Sequence, residues 1–210
     1  MKKLTRLLIP TLAAIAITVA PAAMGASPKQ AASDPTEMTI DENVATPAVP
    51  NKASAAIIRH MNRMAAVFEK HGLEVRRMRK GEVIVVVVPD DKLFMPNETD
   101  LSPSAHTVLS AFNSIVKLPA LYKVLIVSHT DNTGSETYAD QLTEDRANAV
   151  DEYFERAFPN AKLNIVPYGM GLEEPRSANT SIGGRQANRR TEIYIIPEQQ
   201  TVDMSRANKL

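Results

Sequence analysis

Cysteine is absent from all 210 residues. Disulfides, thiolate metal sites, a cysteine nucleophile and a lipid-modified amino-terminal cysteine are excluded together. Charge of one sign is not in excess either. The 24 Lys and Arg residues balance 24 Asp and Glu residues, so no global field draws the chain to acidic lipid or to nucleic acid, and nucleic acid is not an expected partner. After the amino terminus no apolar run approaches transmembrane length. There is no internal repeat.

Ligand sets for common chemistries are also incomplete. His129 and Asp131 supply two ligands where zinc needs three or four, and His60, His71 and His106 fall on unrelated elements. Gly169-Met170-Gly171 lacks the third glycine of a dinucleotide motif and follows the wrong strand, so it reads as a turn. Ser128, His129 and Asp131 are residue types of hydrolysis, but neighbours on one strand alternate faces and cannot form a relay. The expectation is a protein without metal, cofactor or catalytic activity.

What is present begins with a basic start and an uncharged run over residues 7–26, with Ala23 and Gly25 supplying small residues for cleavage. Residues 1–25 read as a secretory signal. Pro10, Pro21 and the abundance of alanine over leucine favour cleavage over retention as a membrane anchor. Residues 26–51, rich in Pro, Ala, Ser and Thr, read as a flexible linker. Residues 52–81 form an amino-terminal helix and connection, with Ile57, Ile58, Met61, Met64, Ala65 and Phe68 at helical spacing. That helix is expected to pack on the domain, a partner-binding role being the alternative.

Residues 82–198 carry the main domain, and residues 199–210 read as a polar tail. The β-branched run at 83–87 predicts a strand covered on both faces. Ala105, Val108, Leu109, Phe112, Ile115 and Val116 predict a helix capped by serine around Pro103. Strands follow at 123–128, 163–168 and 191–196, with a helix between the first two and a loop with a short helix before the last. The order βαβαβ(α)β predicts an α/β (α+β) fold, with helices on a mixed four-stranded sheet plus the extra amino-terminal helix.

The most informative tract is residues 128–149. Asp131 follows the apolar run Val124, Leu125, Ile126 and Val127 and so stands at the carboxyl end of a strand, where ligands of open α/β sheets bind. In the following helix Leu142, Arg146, Ala149, Val150, Tyr153 and Ala157 share one face. A guanidinium in an apolar stripe needs a carboxylate or a cleft edge. Asp131 and Arg146 are therefore expected to face each other across a small pocket, either as an internal ion pair or as a receptor for a zwitterion. The basic cluster Gly184-Arg185 and Asn188-Arg189-Arg190 can return to the same sheet end.

These residues resemble the OmpA C-terminal-like family of peptidoglycan-binding domains. The resemblance rests on His129-Thr130-Asp131, Gly134, Leu142-Thr143, Arg146-Ala147, Gly169-Met170-Gly171, Pro175, Asn179, Gly184-Arg185 and Asn188-Arg189-Arg190. Leu93-Phe94 and Leu101-Ser102 also look like the family's approach to its first helix. The resemblance implies non-catalytic binding of peptidoglycan, with Asp131 and Arg146 gripping the diaminopimelate of the stem peptide. Thr130 and Thr133 would line the site, and Arg189 would assist with a carboxylate.

It further implies an exported protein of the periplasm, cell wall or outer membrane, anchoring an envelope protein or complex. The alternative is an assembly component with a vestigial pocket, contacting an envelope complex through the amino-terminal helix. Departures from the pattern are Ser128 for glycine, Thr143 for serine and Ala139 for asparagine. The last removes a hydrogen bond of about 0.5–1.5 kcal/mol and bears on affinity.

Overall fold

The computed structural model describes residues 35–210; the expected signal segment and the first part of the expected linker lie outside the described residues. Its centre is a five-stranded sheet. β1 (Glu74–Met78), β2 (Val83–Pro89), β3 (Tyr122–His129), β4 (Ile165–Gly169) and β5 (Arg190–Pro197) lie in the order β1-β2-β5-β3-β4. β3 and β4 are parallel and the other pairs antiparallel. The mixed sheet agrees with expectation; the count of four does not. β1 reads EVRRM, so its charges hide a strand that needs only one neighbour and leaves its other edge to water.

Two layers cover the sheet. On one face lie α2 (Asn51–Lys70) and α5 (Glu136–Ala157). α2 buries Ala53, Ile57, Met61, Ala65 and Phe68, positions three or four apart, into the main core with Ile84, Val86, Ile126 and Ile193. Its apolar stripe is thus spent inside the domain. The expected helix over 105–116 is broken into α3 (Ala105–Ser110) and α4 (Asn113–Val116). Neither Ser104 nor Phe112 caps with its side chain; Ser104 instead pairs with Ser102, Oγ to Oγ at 2.8 Å. The apolar stripe survives the break because Ala105, Leu109, Phe112, Ile115 and Val116 are all buried.

Residues 35–45, expected as linker, are ordered on the opposite face. α1 (Ile40–Ala45) starts in a capping box of Thr39 with Glu42 and buries Asn43 and Val44. Val44 joins Val83, Val85, Leu125, Val127 and Tyr194 in a second core. Asn43 Nδ2 donates to the Tyr168 hydroxyl at 2.7 Å, and Arg79 donates to the carbonyls of Val44 at 2.9 Å and Pro47 at 2.8 Å. The tail likewise holds α7 (Gln199–Arg206), which buries Val202 and ties Ser205 Oγ to the Ala53 carbonyl at 2.9 Å. Both segments are polar in sequence because each presents only a narrow apolar contact.

Candidate functional site

The site forms where β2 and β3 end. A short polar loop follows β3: Asp131 Oδ1 accepts the Thr133 amide at 2.8 Å, Gly134 takes φ 105°, and Ser135 Oγ accepts the Tyr138 amide to cap α5. Only a residue free at positive φ makes that turn easily. The other side comes from the chain after β2, where the Asp90 carbonyl accepts the amides of Leu93 and Phe94. Phe94 then pairs with Leu101 in an isolated bridge, closing the loop between them. The third contribution, α6 (Ile182–Asn188), delivers Arg189 just before β5.

These pieces enclose a pocket of about 260 Å³, lined among others by Asp90, Asp91, Phe94, Thr130, Asp131, Thr133, Tyr138, Arg146 and Arg189. All five residues anticipated from the sequence, Asp131, Arg146, Thr130, Thr133 and Arg189, line this one cavity. Their pairing differs from expectation. Arg146 does not face Asp131 as its ion partner. Its Nη1 donates to Asp90 Oδ2 at 2.8 Å, its Nε to the Glu98 carbonyl at 2.9 Å, and its guanidinium stands 4.8 Å from the centre of the Phe94 ring. Asp131 is bonded instead by Arg189 Nη1. The nearest carboxylate in sequence was not the nearest in space, because β5 lies between β2 and β3 and Arg189 is the residue that enters it.

Two different environments result. Arg146 is 3% exposed and Asp90 4%, a buried pair. Burial pushes the Asp90 carboxyl up to about 6, against the opposing pull of Arg146, the Thr191 hydroxyl and Arg189. For Asp131 burial acts in the same direction, but donors from Thr133 and the Arg189 guanidinium outweigh it and hold the carboxyl below its ordinary value. The Arg189 side chain is 41% exposed, so this second pair is accessible on one side. Arg146 Nη2 makes no hydrogen bond among the described residues. The pocket thus offers an ionised carboxylate held by a partly exposed cation and a buried guanidinium with a spare donor. Such a site suits a zwitterion.

The neighbouring motif residues serve as a frame. Thr143 Oγ1 donates to the Ala139 carbonyl at 3.0 Å and accepts the Gly171 amide at 2.9 Å, so threonine at this position docks the turn after β4 onto α5. A Cβ on Gly169 would lie 2.5 Å from the Glu144 backbone nitrogen. Asn188 is buried and bonds the backbone of Ser177 in both directions, fixing the return loop. Ala139 is buried and does not line the pocket, so an alanine there takes no contact from a ligand seated in it.

His129 lies away from the pocket, beside Arg190 and Glu192. Burial first, then Arg190, lowers its pKa to about 4, so it is neutral and Nδ1 donates to the Glu173 carbonyl at 3.2 Å. No group of three or more His, Asp or Glu side chains converges on a metal position among the described residues. Asp90 was missed from sequence, although it follows the apolar run of β2 just as Asp131 follows that of β3.

Comparisons with known proteins agree with this architecture. The OmpA family model matches residues 93–189. The chain is 32% identical over 133 residues to the outer-membrane lipoprotein YfiB of Pseudomonas aeruginosa, an alignment that covers 63% of this chain and 76% of YfiB. It is 34% identical over 95 residues to the peptidoglycan-binding protein ArfA of Mycobacterium tuberculosis, covering 45% of this chain but only 29% of ArfA. In three dimensions it is similar to a MotB-like protein from Desulfovibrio vulgaris, with a TM-score of 0.61 at 24% identity over 70% of this chain and 94% of that one. That likeness speaks to the fold.

Proposed function

From the premise that this chain belongs to the OmpA family, we propose that it binds peptidoglycan without catalysis, gripping the free zwitterionic end of diaminopimelate in the stem peptide. The protein is periplasmic, associated with the cell wall or outer membrane, and holds an envelope protein or complex to the wall. The name of ArfA, a peptidoglycan-binding relative, supports the ligand class. The observation that carries the finer reading is the charge pattern of the pocket: Asp131 and Arg146 line it together, yet each is paired with a different residue.

The ligand's ammonium takes the Asp131 oxygen that Arg189 holds in the free protein. Its carboxylate accepts from the spare Nη2 of Arg146, whose orientation Asp90, the Glu98 carbonyl and Phe94 fix in advance. Arg189, once released, turns to a carboxylate. Thr130 and Thr133 border the ammonium. Charge-assisted bonds of this kind contribute about 1.5–3 kcal/mol each. The pocket lining holds no histidine or cysteine to activate a nucleophile.

The position of Ala139 outside the pocket lining and the buried apolar stripe of α2 favour wall binding over the competing reading as an assembly component. Co-sedimentation with purified sacculi tests the proposal. Wild type is expected in the pellet, with Asp131→Ala and Arg146→Ala, each checked by circular dichroism, at least tenfold weaker. Equal retention of all three variants would exclude this pocket.

A further inference from the structure

Arg189 borders a second cavity. On its far side lies a pocket of about 370 Å³ lined by Glu74, Arg176, Ser177, Gln186 and Arg190 as well as Arg189. The two linings differ in sign. The diaminopimelate pocket has the carboxylates of Asp90, Asp91 and Asp131 against the guanidiniums of Arg146 and Arg189. The second has Arg176, Arg189 and Arg190 against Glu74 alone. Crossing Arg189 therefore takes a ligand from a lining with more acids than bases into one with more bases than acids.

The three arginines are not equally available. Arg190 is buried and spent on Glu192 at 2.7 Å and the Glu174 carbonyl at 3.1 Å. Arg176 meets Glu74 through both terminal nitrogens, at 3.1 and 2.5 Å, but its partner is half exposed, so solvent screens that pair. Arg189 is held by Asp131, and on the proposed function an ammonium takes its place. Binding in the first pocket therefore frees a cation that also faces the second.

We infer that the second pocket is a subsite for another carboxylate of the same peptide, bound by Arg176 together with the released Arg189. The inference rests on the diaminopimelate reading above. Two carboxylates are candidates: the α-carboxylate of the glutamyl residue that precedes diaminopimelate, and the carboxylate at the peptide's carboxyl end. Both belong to the stem peptide that carries the zwitterion, and Arg189, which lines both cavities, stands between them. Arg189 thereby couples the two sites, and a peptide with both an ammonium and a suitably placed anion is preferred over one with the ammonium alone.

Calorimetric titration of the full chain tests this with four probes: free diaminopimelate, the stem tripeptide, and the tripeptide amidated either at the glutamyl α-carboxylate or at its carboxyl end. Amidation of one of the two is expected to weaken binding about threefold to tenfold, which identifies the occupant. Arg176→Gln should weaken the free tripeptide by the same factor and leave that amidated form unchanged; free diaminopimelate, which carries its own second carboxylate, stays unchanged only if the glutamyl carboxylate is the occupant. Glu74→Gln, which frees Arg176, should tighten the free tripeptide.

The subsite is overturned if neither amidation matters while diaminopimelate still binds, or if the Arg176 and Glu74 variants behave like wild type toward every probe. Failure of diaminopimelate itself to bind, or equal binding by Asp131→Asn, overturns the reading on which the subsite rests, and the subsite with it.

Discussion

Each of the two acids at the strand ends meets a guanidinium, yet their titrations diverge. Asp90 has a folded-state pKa near 6 against 3.8 for an ordinary aspartate, so between about pH 4 and 6 the folded chain keeps a proton that the unfolded chain has lost. The stability from this group is complete below pH 4 and disappears as pH rises through 6. Urea unfolding of wild type should therefore show a falling stability across that interval relative to Asp90→Asn, whose site cannot titrate; parallel profiles would contradict the assignment. Asp131 is held low and stays ionised throughout the same range, ready for a cation. At this scale the sequence revealed Asp131 and Arg146, because an acid at a strand end and an arginine in an apolar stripe both break a pattern. It did not reveal their partners. Asp90 and Arg146 stand 56 positions apart and Asp131 and Arg189 stand 58 apart, and only the order of strands joins them.

Elements hold these side chains by close approach. α5 rests directly on the end of β4 at Gly169, and a methyl group there meets the Glu144 backbone. Gly169→Ala is expected to cost about 1–3 kcal/mol by forcing α5, and Arg146 with it, away from the sheet. Gly183, within α6, has open space around a built Cβ, so Gly183→Ala should be neutral or stabilising by up to about 1 kcal/mol. Chemical denaturation of both variants distinguishes the two glycines, and equal effects would contradict the packing described. Long periodic elements such as α2 and α5 were legible from their apolar spacing. β1 was not, since an edge strand of alternating charge carries no apolar signature, and the break between α3 and α4 leaves their shared stripe unchanged.

In the folded body of residues 35–210 the two faces of the sheet have separate duties. The α2 and α5 face carries the pocket at its end, while the segment containing α1 closes the other face through Val44, Asn43 and the Arg79 contacts. Removing residues 1–47 should lower the urea midpoint by exposing Val83, Val85 and Leu125, yet leave affinity for diaminopimelate within about twofold, because among the described residues of that segment none lines the pocket. A parallel loss of affinity and stability would contradict that division. Composition concealed the ordering of α1 and α7, whose polar residues outnumber the few that dock. The central claim is that one pocket at the ends of β2 and β3 receives the zwitterion. Amide and arginine side-chain NMR spectra recorded during titration with free diaminopimelate test it most directly. The account predicts saturable shifts centred on Thr130, Asp131, Thr133, Arg146 and Arg189; shifts centred on β1 and the α1 face instead, or none at all, would contradict it.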